Sequence, residues 1–499
     1  MPNRLLRRQG LALGLSVLGF CLFCSARPAS AQFSWPQTPA GKQMSALVEA
    51  LNSGDSPTMQ RFIEAHFAQA ALQRHSSQER ASHLNDVFQD TRGVDLRKID
   101  NSSDFSLEVR GVDRVAGDWV QMRVDLEEAE PHGILGFGLR NSSPPQGFAP
   151  AKKWTDSECA QELDAYLKKL LNADLFSGTV LVMHNGKPVY QNAVGLASRA
   201  WQQPNRIDTK FNLGSMNKMF TAVSIAQLVE AGKLSFDDKV GKILPDYPNK
   251  EVADKVTIHQ LLTHTSGMGS YFNDEYEKAD KNRFRAVKDY LPLFVNEKLQ
   301  FEPGSRWDYS NSGFMLLGLV VEKVSGQDYF AYVREHIYKP AGMSDTDAYE
   351  LDRDNANLAM GYTKSGPGGN NDPKRGWNNL YIHVVKGGPA GGGFSTAPDL
   401  VKFAEALQGG KLLSAKSLAI LSTGKVPLDP SDDKVKYAYG LFDDRSSGTR
   451  IVGHGGGFPG INSKLDMYFD RGYTVAVMSN YDPPASERVA NRIRSMLAQ

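Results

Sequence analysis

From Thr221 to Ala231 the chain carries small and apolar side chains on nearly every face of a helix, and Gly232 stands where a C-cap belongs. A helix of that kind has no side to offer water. It must lie inside a core, and the surrounding chain must be large enough to bury it. With 499 residues there is material for two or three domains. Charged residues make up 23% and the hydrophobic set 41%, an ordinary globular balance. The formal net charge is +1 and no block of like charges occurs, so the basic stripe that neutralises phosphates is missing. No nucleic-acid partner is expected.

Residues 1–31 read as an export signal. Arg4, Arg7 and Arg8 form a positive start, Leu11 to Phe23 an apolar run, and Ala29-Ser30-Ala31 a small-residue cleavage site. The apolar run is short for a bilayer span, so no membrane span is expected after cleavage and the protein is expected in the periplasm or outside the cell. Removing Arg4, Arg7, Arg8 and Arg27 takes the formal charge from +1 to −3. It also leaves Cys159 as the one cysteine, in a polar helical stretch without a cationic neighbour, which reads as an inert packed thiol.

The Pro/Ser/Gly-rich segment 141–150 reads as a linker between a front domain, residues 32–140, and a larger one, residues 151–499. The front domain opens with helical patterns at Met44 to Leu51, Met59 to Leu72 and Gln78 to Phe88. Strand patterns follow at Phe105 to Val109, Val120 to Leu126 and Ile134 to Leu139. This order predicts a small α+β domain; it resembles the cystatin-like or NTF2-like accessory domains that precede some exported hydrolases. Its own partner is not specified by the pattern. His66, His75 and His83 do not share one helical face at metal-ligand spacing, so no metal is expected there.

The larger domain is again α+β. Strands are expected at Phe176 to Val182, Lys187 to Gly195, Arg450 to Gly453, Ser463 to Phe469 and Tyr473 to Ser479, the last two joined at Asp470-Arg471-Gly472. Ser-x-x-Lys occurs at Ser215/Lys218, Ser422/Lys425 and Ser431/Lys434, and only the first opens the buried helix. There Ser215 meets unpartnered backbone N–H groups at the positive end of the helix, which favours a developing oxyanion. Lys218 projects from the same face, and an amine partly desolvated by a core helix loses proton affinity and becomes a base. Tyr309 precedes another apolar helix, Phe314 to Val324; a phenol beside a cationic lysine loses its proton more easily and can exchange protons with the serine. Asn311 offers an amide to hold Lys218 or a substrate carbonyl. His454 is followed by Gly455, Gly456 and Gly457, whose backbone can approach a ligand closely. The Gly457 N–H is expected to join that of Ser215 as an oxyanion pair, with His454 adding a donor or partial positive charge.

In this order and spacing, Ser215/Lys218, Tyr309/Asn311 and His454/Gly456 resemble the motifs of the serine β-lactamase and penicillin-binding-protein superfamily, in its class C, D,D-peptidase and esterase-like branch. Thr257-Ile-His-Gln-Leu-Leu-Thr-His-Thr-Ser-Gly-Met268, Pro340-Ala-Gly-Met343 and Gly391-Gly-Gly-Phe-Ser-Thr396 are also typical stretches. The resemblance covers Leu175 to the end. It implies an antiparallel sheet flanked by helices with an all-helical lobe carrying Tyr309, and no cofactor or metal. It implies an acyl-enzyme on Ser215, proton transfers by Lys218 and Tyr309, and substrate binding by Asn311, His454, Gly456 and Gly457. The bond cleaved is then an ester, an amide or a D-amino-acid peptide; a β-lactamase proper and a silent penicillin-binding sensor are the alternatives. Relatives of the β-lactamase kind carry Lys where His454 stands, a permanent cation for the antibiotic's carboxylate, so efficient penicillin hydrolysis is not expected. His259 and His264 are read as structural. The Gly/Pro/Asn-rich segment Ser365 to Asn379 is read either as a rim loop or as a solvated insertion.

Overall fold

The computed structural model describes residues 33–497 apart from 143, 146, 147, 149–151, 368, 369 and 373. Residues 1–31, expected to be an export signal, and part of the expected linker lie outside the described residues. In the front domain Thr38, Asp55 and Ser76 each accept a hydrogen bond from the backbone N–H three residues on, and so start helices α1 (Pro39–Ser53), α2 (Ser56–His66) and α4 (Ser77–Thr91). The pattern from Met59 to Leu72, expected as one helix, is divided into α2 and α3 (Gln69–Arg74). Phe67 turns extended, bridges Ile134, and the Ala68 N–H donates to the Ile134 carbonyl at 3.0 Å. Burial of the Phe67 ring among the sheet residues decides that break.

An antiparallel meander follows: β1 (Val94–Ser102), β2 (Ser106–Asp113), β3 (Trp119–Leu126) and β4 (Ile134–Asn141). Leu107, Val109, Val120, Met122 and Val124 face Met44, Leu47, Leu51, Ile63 and Leu84 of the helices. β1 had no counterpart among the expected strands. Only Val94 in it is fully buried and two register shifts interrupt its pairing, so the alternation that marks a strand is absent.

The larger domain is built on an eight-stranded antiparallel sheet. Its main elements, shorter helices and strand pairs apart, are in chain order α5 (Asp156–Asn172), β5 (Gly178–His184), β6 (Lys187–Val194), α6 (Asn217–Glu230), α7 (Asn311–Ser325), α8 (Ala397–Gln408) and β7 (Val426–Asp429). β8 (Asp432–Tyr437), β9 (Phe442–Asp444), β10 (Ile451–Phe458), β11 (Ile461–Tyr468), β12 (Tyr473–Ser479) and α9 (Ala485–Leu497) complete it. The strand order is β7-β8-β9-β10-β11-β12-β5-β6. Both faces are covered. Val180, Val182, Val475 and Val477 point to α5 and α9, whereas Leu181, Leu465, Ala476 and Met478 point to the helical lobe around α6 and α7. Met219, Phe220, Ala222, Val223 and Ile225 of α6 are all buried, as its apolar circumference requires. The architecture is thus α+β, an antiparallel sheet flanked by helices. Among the described residues no helix is long and apolar enough to cross a membrane.

The two domains share a buried polar joint. Arg488 of α9 reaches Asp113 at 2.6 Å and Asp118 at 2.9 Å and donates to the Asp90 carbonyl at 2.9 Å, while the Tyr166 hydroxyl donates to Asp118 at 2.6 Å. Val115 and Ala116 of the front domain pack into the apolar layer of α5 and α9.

Candidate active site

Ser215 occupies a single 3-10 turn, Gly214–Met216, that runs directly into α6. Gly214 is left-handed at φ +50°, and the turn is gripped by backbone on two sides. A Cβ on Gly456 would lie 1.9 Å from the Leu213 carbonyl oxygen, and one on Gly391 would lie 2.9 Å from the Gly214 oxygen. A Cβ on Gly214 would meet the Gly457 nitrogen at 3.0 Å, so this exposed amide is a close neighbour of the nucleophile turn. The Leu213 N–H donates to Gly393 at 2.7 Å and the Gly392 N–H to Gly214 at 3.2 Å. Two glycine runs, one on β10 and one before α8, therefore let the chain close around Ser215.

Lys218 is wholly buried, one helical step below. Its Nζ lies 3.3 Å from Ser215 Oγ, 2.8 Å from Asn311 Oδ1 and 2.6 Å from the Ala390 carbonyl oxygen. Burial holds its amine well below the ordinary lysine value. A neutral amine has two N–H donors and one lone pair. Nζ donates to all three; Asn311 and Ala390 keep two of its N–H groups, and loss of the proton directed at Ser215 Oγ would leave a lone pair able to receive the Ser215 hydroxyl proton.

Ser310 caps α7, accepting from the Gly313 N–H at 2.9 Å and donating to the Gly269 carbonyl at 2.7 Å. That cap places Tyr309 and Asn311 on either side of it. Tyr309 is hydrogen-bonded to Ser215, and its ring lies 4.8 Å from Lys218 Nζ. Asn311 Nδ2 donates to Ser270 Oγ at 3.1 Å, which orients its oxygen to the lysine. The expectation that the lysine lowers the Tyr309 phenol is corrected here: burial raises it above the ordinary value, and the Ser215 bond offsets this only in part. His264, buried and at φ +59°, supports the ring from 4.2 Å and accepts the Ser310 N–H on Nδ1 at 3.0 Å.

The strand expected to end at Gly453 continues through Phe458, with His454 to Gly457 paired in register to Leu465, Lys464, Ser463 and Asn462. His454 is 2% exposed. Its Nδ1 meets the Gly455 carbonyl at 2.5 Å, so it carries the proton, and Nε2 accepts from the Tyr437 hydroxyl at 3.1 Å. Burial depresses the imidazole to about 3. The expected partly charged donor is therefore corrected to a neutral ring with both nitrogens engaged. Tyr437 was missed by sequence reasoning, since a tyrosine at the end of a polar segment carries no motif.

The other Ser-x-x-Lys pairs lie elsewhere: Ser422 accepts from Arg450 at 3.3 Å, and Ser431 donates to Asp429 at 2.6 Å. The segment Ser365 to Asn379, of which 368, 369 and 373 lie outside the described residues, packs rather than floats. Arg375 is buried, and Asn379 Nδ2 donates to the Pro459 carbonyl at 3.0 Å, at the tip of the β10–β11 hairpin. A cavity of about 250 Å³ lined by Asn212, Leu358, Asn379, His383, Phe394 and Asn480, among others, lies behind the nucleophile turn, and Ser215 does not line it.

This fold, with a serine facing a buried lysine amine and a phenol, defines the class of serine hydrolases that work through an acyl-enzyme. The chain belongs to the β-lactamase family, whose model, described as Beta-lactamase, matches residues 163–499. It is 31% identical over 313 residues to penicillin-binding protein 4* of Bacillus subtilis, covering 61% of this chain and 68% of that one. It is 35% identical over 200 residues to esterase EstB of Burkholderia gladioli, 37% of this chain and 50% of that one. Among solved structures, a penicillin-binding protein from Bacillus halodurans superposes with a TM-score of 0.58 at 36% identity, covering 65% of this chain and 98% of that one.

Proposed function

We propose that the protein is an exported serine hydrolase that cleaves an ester, an amide or a D-amino-acid peptide bond through an acyl-enzyme on Ser215. The observation that carries this reading is the placement of Lys218 Nζ at 3.3 Å from Ser215 Oγ, held there by Asn311 and the Ala390 carbonyl. Ser215 gives its proton to Lys218 as its oxygen bonds the substrate carbonyl carbon, and the oxyanion is held by the Ser215 and Gly457 N–H groups. The new ammonium then lies beside Tyr309 and makes the phenol a better acid. Tyr309 protonates the leaving atom, the carbonyl re-forms, and Lys218 returns the proton to Tyr309. In the second half a water gives one proton to Lys218 and bonds the acyl carbon, Ser215 takes a proton as it leaves, and the acid is released.

A neutral His454 supports an ester or amide substrate over a penicillin, because a buried uncharged imidazole gives a carboxylate no counter-charge. The supporting names are those of relatives: an esterase among the curated proteins, and a D-stereospecific amidohydrolase from Streptomyces sp. among structures at 28% identity. Export rests on the pattern of residues 1–31 alone. Incubation with a fluorophosphonate is expected to add one adduct, mapped by mass spectrometry to Ser215, and Ser215→Ala is expected to remove it. An unlabelled wild-type protein that hydrolyses no nitrophenyl ester would refute the proposal.

A further inference from the structure

Resting on that acyl-enzyme reading, we infer that the acyl part of the substrate is an uncharged, flat apolar group lying against Phe272 and Phe458. Phe458 follows Gly457, whose amide neighbours the nucleophile turn. Phe272 stands two residues beyond Ser270, which holds Asn311. The two rings come from separate segments of the chain and stack, with centroids 5.6 Å apart and planes at 29°. Tyr271 and Tyr276 back Phe272 at 4.5 and 4.9 Å, and His383 lies 5.2 Å from Phe458.

Despite this backing Phe272 is 41% exposed, and Leu380 and Tyr381, in the segment that carries His383, are exposed by 45% and 83%. Phe272 is thus an exposed large hydrophobic ring held against Phe458, one residue past Gly457. Apolar surface collected beside a reactive group is a binding surface more often than an accident.

The direction along the strand follows from the proton donor. Tyr309 touches His264, His264 lies 4.5 Å from Tyr437, and Tyr437 bonds His454, so the acid stands at the His454 end of β10. The leaving atom must face Tyr309 to be protonated. With the carbonyl oxygen at Gly457, the acyl substituent then extends the other way, onto Phe458 and Phe272. A carboxylate stands beside it there: Glu297 accepts from Asn273 Nδ2 at 2.8 Å, one residue past Phe272, while Lys464, paired in register with Gly455, is engaged by Asp466 at 3.5 Å. A carboxylate on the acyl chain would shed water without finding a counter-ion.

The test compares kcat/KM for nitrophenyl phenylacetate, nitrophenyl acetate and nitrophenyl hemisuccinate on the full chain, with fluorophosphonate labelling of Ser215 run on the same sample. The phenylacetyl ester is expected to exceed the acetyl ester by about tenfold or more, and the hemisuccinate to fall below the acetyl ester. In Phe272→Ala and Phe458→Ala the phenylacetyl-to-acetyl ratio is expected to drop toward one; a ratio taken within one preparation is insensitive to the fraction folded. Labelling with a ratio near one in the wild type, a ratio unmoved by both variants, or a preferred hemisuccinate overturns the aromatic site and leaves the acyl-enzyme standing. Absence of labelling overturns both.

Discussion

Burial holds Lys218 in the native state at a proton affinity well below that of an ordinary lysine. Unfolded, it keeps its proton up to about its ordinary value of 10.5; folded, it gives the proton up well below that. Between those two values the unfolded chain binds a proton that the native chain lacks, so the contribution of this residue to stability rises with pH. The Tm of the wild type minus that of Lys218→Met is therefore expected to grow between about pH 6 and about pH 9, and a flat difference would contradict the burial of an uncharged amine. The same titration sets activity: kcat/KM is expected to climb with pH through an acid limb lying well below 10.5, and Lys218→Met to lose labelling throughout. Ser215, Lys218, Tyr309 and Asn311 were legible from motif order, and the structure brings them together. His454 was legible as a position and not as a chemical state, because burial by the rest of the domain lowers its proton affinity.

At the scale of elements, the β10 glycines separate two kinds of close approach. A Cβ on Gly456 would strike the Leu213 carbonyl oxygen at 1.9 Å, which is backbone and cannot swing aside, whereas one on Gly457 meets the Pro483 ring at 2.9 Å. Gly456→Ala is therefore expected to push the nucleophile turn out of line and cut kcat/KM by about 100-fold, and Gly457→Ala, which keeps its N–H, by about tenfold or less. Steady-state kinetics on one ester distinguish the two, and equal losses would mean that β10 does not position Ser215. Most helices and central strands were visible in the periodicity. The exceptions include β1, whose side chains do not alternate, the break at Phe67, where a local helical pattern yields to a bridge with Ile134, and β7, β8, β9, α8 and α9, which were not read from the pattern.

Across the whole molecule, the joint at Arg488 ties the front domain to α9 by side chains that are themselves buried. Removing one partner of such a network leaves charges on Asp113 and Asp118 without compensation. Arg488→Ala is expected to cost about 3–5 kcal/mol in urea unfolding, with the two domains melting apart where the wild type melts together. An unchanged midpoint would make the front domain an independent module.

The sequence by itself determined the local features: an all-apolar helix that must be buried, a lysine three residues after a serine at its mouth, and glycine runs that let strands come close. Only the tertiary structure decided which protons those groups hold. The carbonyl that occupies an N–H of Lys218 comes from Ala390, 172 residues away, and the hydroxyl that occupies His454 comes from another strand. Proton affinity depends on desolvation and on hydrogen-bond partners, and both are supplied by parts of the chain that no local pattern connects.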